Sequence, residues 1–388
     1  MIYRELLGHK VSLLGFGAMR LPPLDPANPR GGINKEEAIA LIRKAYESGV
    51  NYFDTAYVYG GGQSEIILGE ALSIYPRDTY YVATKFPGLH PPEGGWTMEK
   101  VKETFEEQLK KLNMEYVDFY LLHGIMESDW HLYNDPNVAL ADYFHEQKQA
   151  GRIKHFGFSS HGKIDQLQKV LDWKDYFEFC QIQLNYLDWT LQDAKGQYEL
   201  LTEKNIPVIV MEPVRGGRLA DLGEENNAVL KAARPDDSIA SWALRFAGVH
   251  ENVKVVLSGM STMEQLEDNL KTYADGELLT DEEKALLLDK IVPSMAQMVP
   301  CTGCRYCCEG CPVELNIPAL ISLYNELNFS PRSFYLGALK DENMPHNCIG
   351  CGACTTVCPQ GIDIPDVMQK LAVKIDEAKA AMAAFRRG

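Results

Sequence analysis

The residues in this sequence whose type and spacing most directly dictate a chemistry are its cysteines. Of ten in the chain, nine fall between Cys301 and Cys358, and Cys180 lies apart. Eight of the nine form two copies of one pattern: Cys301-x2-Cys304-x2-Cys307-x3-Cys311-Pro312 and Cys348-x2-Cys351-x2-Cys354-x3-Cys358-Pro359. A cuboidal 4Fe–4S cluster needs four thiolates, three from one tight loop and one from elsewhere. In two-cluster chains with this spacing, the cysteine before the proline serves the other cluster. The pattern therefore predicts one cluster on Cys301, Cys304, Cys307 and Cys358, and a second on Cys348, Cys351, Cys354 and Cys311. The competing chemistry is a pair of structural zinc sites, which usually take two C-x2-C pairs with neither a triplet nor a trailing Cys-Pro. Cys308 is spare and leaves two adjacent thiols for one ligand position. A secreted disulfide framework does not crowd its cysteines at one end of a large chain that shows no secretory leader.

A second set of reactive residue types lies in the N-terminal part, and its meaning depends on the elements that carry it. Short β-branched or apolar runs recur at residues 11–16, 50–53, 80–83, 117–122, 153–158, 179–184, 206–211 and 253–257. Between them lie stretches with helical spacing, among them 35–48, 98–112, 139–150 and 193–203. Eight strands, each followed by a helix or a long connection, predict a (β/α)8 TIM barrel, and about 250 residues is the usual size of that fold. The rival is a doubly wound open sheet, which calls for G-x-G-x-x-G after its first strand. Gly15-Phe-Gly17 is only half of that motif. In a (β/α)8 barrel the active site sits at the C-terminal ends of the strands. Asp54 and Tyr59 follow the second run, Lys85 the third and His123 the fourth, so all four fall on that face.

The motifs around these residues, FDTAYVYG, ATKF and LLHG, resemble those of the aldo/keto reductase family. So do Gly157-Phe-Ser159-Ser160, Gln181-Ile-Gln-Leu-Asn185, Met211-Glu-Pro213 with Gly216-Gly217, and Leu266-Glu-Asp-Asn269. The resemblance covers residues 1 to about 290 and implies roles. Tyr59 would give the proton to a carbonyl oxygen as hydride reaches its carbon. A phenol titrates ordinarily near 10, so its anion needs stabilising at neutral pH. Lys85 would supply that charge, Asp54 would orient Lys85 and keep it protonated, and His123 would position the substrate oxygen.

The resemblance also implies a nicotinamide cofactor. Ser159 and Gln181 match positions that hold its carboxamide, and Ser160 stands where the family usually has Asn. Gly17, Met19 and Arg20 follow the first strand on the nicotinamide side. The run Glu212-Pro213-Val-Arg215-Gly216-Gly217-Arg218 follows the seventh strand. Its glycines permit close approach to a pyrophosphate, and either arginine offers charge. After the eighth strand, Gly259 and Gln265 stand where NADPH-preferring members carry Lys and Arg, while Asn269 remains as an adenine contact. A 2′-phosphate without a cation binds less well, so NADP and NAD both stay open, with NADP favoured on family grounds.

The C-terminal segment resembles a bacterial ferredoxin with a wider insert, residues 312–347, between its two motifs. That insert is expected to bury one cluster or to shape a docking face. The division expected is residues 1–292 for the barrel and 293–388 for a small α-helical, ferredoxin-like iron–sulfur domain ending in a helix. Two clusters beside a nicotinamide site point to electron transfer with a redox partner protein or a bound flavin, the usual adaptor between hydride and single electrons. The alternative is a barrel that serves as a non-catalytic docking or redox-sensing scaffold. A net charge of −16 argues against nucleic acid and anionic membrane as partners. The absence of a signal-like start or a long apolar run leads us to expect a cytoplasmic protein. The substrate is expected to be a small molecule. Phe86, Trp96, Trp130 and His131 either line its pocket or pack their own loops.

Overall fold

The computed structural model describes the chain except residues 26–27, 29–31, 128, 275, 296–297, 330–338 and 386–388. Part of the insert between the cysteine motifs thus lies outside the described residues. The chain forms two compact units, one of Met1–Val214 with Asp236–Lys284, the other of Arg215–Pro235 with Ala285–Gly388. The stretch after the seventh barrel strand is thereby grouped with the C-terminal unit.

In the first unit eight parallel strands close into a barrel. Two short strands precede them, β1 (Tyr3–Leu6) and β2 (His9–Ser12). The barrel strands are β3 (Leu14–Gly17), β4 (Tyr52–Asp54), β5 (Tyr81–Phe86), β6 (Val117–Ile125), β7 (Ile153–Ser160), β8 (Cys180–Gln183), β9 (Val208–Met211) and β10 (Val253–Ser258). Each pairs with its sequence neighbour, and β10 closes on β3. All eight expected strands are present. Residues 117–122 of β6 are buried on both faces, which is why the strands read as apolar runs and not as alternating patterns.

The hairpin β1–β2 was not expected. It is antiparallel, with Leu6 opposite His9. Its two-residue turn, Leu7-Gly8, has φ of 51° and 84°. Such turns usually announce themselves as Asn-Gly or Asp-Gly, and a leucine in the first position hides the signal. Leu6 and Val11 pack with Tyr52, Phe119, Phe179 and Val255 in the barrel interior.

The helices fall within a residue or two of the spacing-based ranges. Lys35–Glu47 starts at Asn34, whose side chain accepts from Glu37 N, and Met98–Leu112 starts at Thr97, which accepts from Lys100 N. Asn113 ends the latter in the left-handed conformation, φ 54°. Thr280 and Glu283 form a reciprocal capping box at 3.2 and 2.9 Å. The segment that follows departs from the expected regular helix, because Leu286–Ile291 is π-helical.

In the second unit the helices Ile317–Phe329 and Ile364–Phe385 build one apolar core. Leu320, Ile321, Leu323 and Leu327 meet Val367, Met368, Leu371 and Ile375 there, so the C-terminal helix packs back on the insert. No helix among the described residues is long and apolar enough to cross a membrane.

Candidate active site and cluster cradles

Strand alternation explains how the reactive residues meet. Tyr52, Ala83 and Phe119 face the barrel interior. Two residues further along each strand, on the same face, come Asp54, Lys85 and Leu121, and two beyond Leu121 comes His123. The pairing Tyr52↔Tyr81, Asp54↔Ala83 and Lys85↔Leu121 sets their heights. Lys85 is fully buried, and its Nζ donates to Asp54 Oδ1 at 2.5 Å and to the Thr55 carbonyl at 2.7 Å. Tyr59 opens a tight turn, Tyr59–Gly62, in which Gly60 and Gly61 have φ of 58° and 63°. That turn folds the half-buried phenol back over the mouth. Lys85 Nζ lies 4.9 Å from its ring centre, and the His123 ring meets it edge-on at 5.6 Å. Tyr133 OH donates to the His123 carbonyl and fixes its backbone. The four residues singled out from sequence are therefore brought together.

Burial governs the charges. It lowers the Lys85 ammonium from its ordinary value, with the Asp54 carboxylate opposing. It raises Asp54, which the Lys85 charge holds back. His123 is held well below the usual imidazole range by burial first and by Lys85 next, so it is neutral at pH 7. A second imidazole, passed over in the sequence, is His161 after β7. Burial brings it down to about 4, against the opposing influence of the Gln183 side chain and the charge of Asp188.

Behind Lys85 lies a buried polar network that sequence reasoning also missed. Glu65 Oε1 accepts from Thr84 Oγ1 at 2.6 Å and from Gln108 Nε2 at 2.8 Å. Gln108 Nε2 also reaches the Lys85 carbonyl at 3.0 Å, and Gln108 Oε1 accepts from Tyr120 OH at 2.6 Å. These bonds fix the strand that carries the lysine. The available signal was a glutamate beside the apolar run Ile66-Ile67-Leu68 at the start of the helix Ser64–Leu72.

The residues expected around a nicotinamide divide into two groups. Gln181 lies on β8 with its Oε1 buried and without a hydrogen-bond partner among the described residues. A carboxamide N–H fits that vacant acceptor. Gly17 ends β3, where a Cβ would press on the Ser258 carbonyl at 3.3 Å, and Met19 and Arg20 are exposed just after it. Arg20 packs along Gly259, so a cation does stand beside the position where the sequence shows none. Three others are engaged within the protein. Ser159 Oγ accepts from Gly124 N at 2.7 Å, Ser160 Oγ donates to the Ile125 carbonyl at 3.1 Å, and Asn269 Nδ2 donates to Ser258 Oγ at 2.8 Å. Glu212 has φ 53°, its carbonyl accepts from Asn185 Nδ2 at 3.1 Å, and Pro213 is buried. The aromatic residues of the nearby loops are mostly packing groups. Trp96 lies on Phe86 at 4.6 Å and donates to the Gly88 carbonyl, and Trp130 meets Trp173 edge-on at 5.0 Å.

In the second unit the cysteines surround two cavities. One is lined by Cys311, Cys348, Cys351 and Cys354. The other is lined by Cys301, Cys304, Cys307 and Cys358. Each therefore takes three thiols from one motif and the fourth from the other, as the spacing predicts, and Cys308 lines neither. Among the described residues no three His, Cys, Asp or Glu converge closely enough to hold a single metal ion. Four thiols gathered around one pocket, three from one motif and one from the other, fit the ligand set that a cuboidal cluster needs. The insert serves both cradles, with Ile317 lining one and Pro318 and Ile321 the other. Arg215, Gly216, Gly217 and Arg218 belong to this unit. Arg215 has φ 49° and a buried side chain whose Nη2 donates to the Pro300 carbonyl at 2.8 Å.

Comparison with known proteins agrees with both halves. Residues 13–291 match the aldo/keto reductase family model, and residues 300–362 match a 4Fe-4S dicluster domain. The chain is 29% identical over 301 residues to L-galactose dehydrogenase of Arabidopsis thaliana, covering 72% of this chain and 89% of the plant protein. It is 26% identical over 318 residues to L-glyceraldehyde 3-phosphate reductase of Escherichia coli O157:H7, covering 69% and 88%. Among solved structures, the holo form of an aldo-keto reductase from Bacillus halodurans superposes with a TM-score of 0.60 at 27% identity, covering 74% and 96%. An aldo-keto reductase from Klebsiella pneumoniae in complex with NADPH does so with a TM-score of 0.61 at 20% identity, covering 76% and 96%, which shows the fold alone.

Proposed function

The chain belongs to the aldo/keto reductase family, and from that premise we propose that it reduces a carbonyl group of a small organic substrate with NADPH in the mouth of its barrel. We further propose that its dicluster unit exchanges electrons with a partner protein or a bound flavin. When bound, a reduced nicotinamide supplies hydride to the carbonyl carbon. The chain's own part is to hold the oxygen and give it a proton. His123, neutral and edge-on to the phenol, orients the oxygen by a hydrogen bond. Tyr59 donates the proton. Lys85, with its ammonium held by Asp54 and the Thr55 carbonyl, stabilises the phenolate left behind. The vacant Gln181 oxygen receives the carboxamide N–H and so sets which ring face meets the substrate. Arg20, lying along Gly259, supplies the cation for a 2′-phosphate and favours NADPH over NADH.

The two cradles hold 4Fe–4S clusters, which carry one electron at a time when bound. Cys351 is exposed and Ile349 beside it is 65% exposed, so one cradle lies within reach of a docked partner.

The single observation that carries the reductase reading is the buried Lys85–Asp54 pair 4.9 Å beneath the Tyr59 ring. Its test is NADPH oxidation with a panel of aldehydes, ketones and quinones. Tyr59→Phe should lose roughly 100- to 10,000-fold in kcat with little change in KM, the range for general acid catalysis. Equal rates for the two proteins would remove the proton-donor role.

A further inference from the structure

The two cradles differ in a way that bears on electron flow. The cradle of Cys301, Cys304, Cys307 and Cys358 also has Arg305 in its lining, and Arg305 Nε is buried without a hydrogen-bond partner among the described residues. Arg215, about 1% exposed, donates to the carbonyl of Pro300, the residue bonded to Cys301. Guanidinium groups stay charged at any working pH, and burying one is costly unless negative charge lies nearby. Four thiolates around an iron–sulfur core provide that charge. In the cradle of Cys311, Cys348, Cys351 and Cys354, the other lining residues are Pro312, Val313, Leu315, Ile317, Ile349, Gly352, Ile364, Pro365 and Met368, with no Lys or Arg among the described residues.

We propose that Arg215 and Arg305 are positioning residues that make the Cys301 cradle cationic, so that the cluster held there is reduced before the cluster held by Cys348, Cys351, Cys354 and Cys311. The inference rests on the dicluster reading above. Reduction adds one electron, and so one negative charge, to a cluster. A fixed cation beside it stabilises the reduced state and raises its potential, because net charge, hydrogen bonds and solvent exposure set these potentials. Arg215 has two parts here. Its fork braces the backbone where the first ligand loop begins, and its charge acts on the core.

The test is a dithionite titration of the full-length, anaerobically purified protein, followed by electron paramagnetic resonance, with iron counted on the same samples. Two midpoints are expected in the wild type. A Cys304→Ser protein, which keeps only the other cluster, identifies which midpoint belongs to which cradle. Arg305→Gln and Arg215→Gln should each lower the Cys301-cradle midpoint by roughly tenfold in the reduced-to-oxidised ratio, about 59 mV for one electron. The other midpoint should stay in place. Arg305→Lys and Arg215→Lys, which keep the charge, should restore most of the shift. If Arg215→Gln does not hold iron, Arg305→Gln carries the same test from the rim. Gln variants with full iron whose midpoints do not move, or move together, would overturn the proposal. A wild-type protein that takes up far less than two clusters' iron would instead sink the dicluster reading itself.

Discussion

Removing the Asp54 carboxylate should injure both stability and catalysis through one proton on Lys85. That ammonium is fully buried and donates to Asp54 Oδ1 and the Thr55 carbonyl. In Asp54→Asn the lysine either stays charged without a counter-ion or loses its proton. Breaking a buried pair from one side costs about 3–5 kcal/mol. Deprotonating a lysine of ordinary value near 10.4 at pH 7 costs about 5 kcal/mol, which sets the ceiling. Burial already lowers Lys85, and Asp54 is the main influence opposing it, so its loss moves the lysine further down. The neutral amine then no longer supports the phenolate. A unit charge 4.9 Å from the ring centre is worth about 3 kcal/mol at an effective dielectric of about 20. Tyr59 is partly exposed, so screening reduces the expected loss to between about 30- and 300-fold in kcat. Because lower pH returns the proton, the variant's rate should climb as pH falls, and the wild type should show no such rise. Urea unfolding at neutral pH and kcat across pH measure both effects. The double variant Asp54→Asn with Lys85→Met should be more stable than Asp54→Asn alone. A single variant with wild-type stability and an unchanged pH profile would refute this account of the ion pair.

Other outcomes follow from the same geometry. His9 and His155 approach at 3.0 Å between Nε2 atoms, and burial, then His155, lower His9, with Asp118 opposing. The folded state thus prefers neutral His9, so stability present above the ordinary value of about 6.5 is lost as pH falls through it. His9→Gln should flatten urea midpoints between about pH 7 and pH 5, and an unchanged slope would count against the pair. Cross-ligation is checked by iron counting: Cys304→Ser combined with Cys358→Ser should lose roughly one cluster, and Cys304→Ser combined with Cys348→Ser roughly both. Cys308→Ser should lose none, and an iron loss there would reassign the ligand. Arg20→Ala should raise KM for NADPH by roughly tenfold and leave KM for NADH nearly unchanged, as expected for one charged contact to phosphate; equal effects on both would remove the 2′-phosphate role.

The barrel and its four reactive residues were legible because strand period and strand end together decide where a side chain points. Asp54, Lys85 and His123 each follow an inward residue by an even step, and the cysteine spacing anticipated which thiols line a pocket together. The bond from Arg215 to the Pro300 carbonyl was not legible, because its partner lies 85 residues further along the chain. The hairpin at Leu7-Gly8 escaped because its turn lacks the usual residues. Glu65, Gln108 and His161 escaped for a different reason: their importance lies in partners distant in sequence, such as Gln108 to the Lys85 carbonyl.

The proposed exchange of fourth ligands would set a time order on the making of the protein. Cys301, Cys304 and Cys307 share their cavity with Cys358, roughly fifty residues later in the chain. At about 5–20 residues per second of translation, the first triplet leaves the ribosome some 3–10 seconds before its closing thiol. For that interval three nucleophilic sulfurs stand open to oxidants and stray metals. A cluster held by these four thiols would therefore be completed only after the last turn of the second motif has been made.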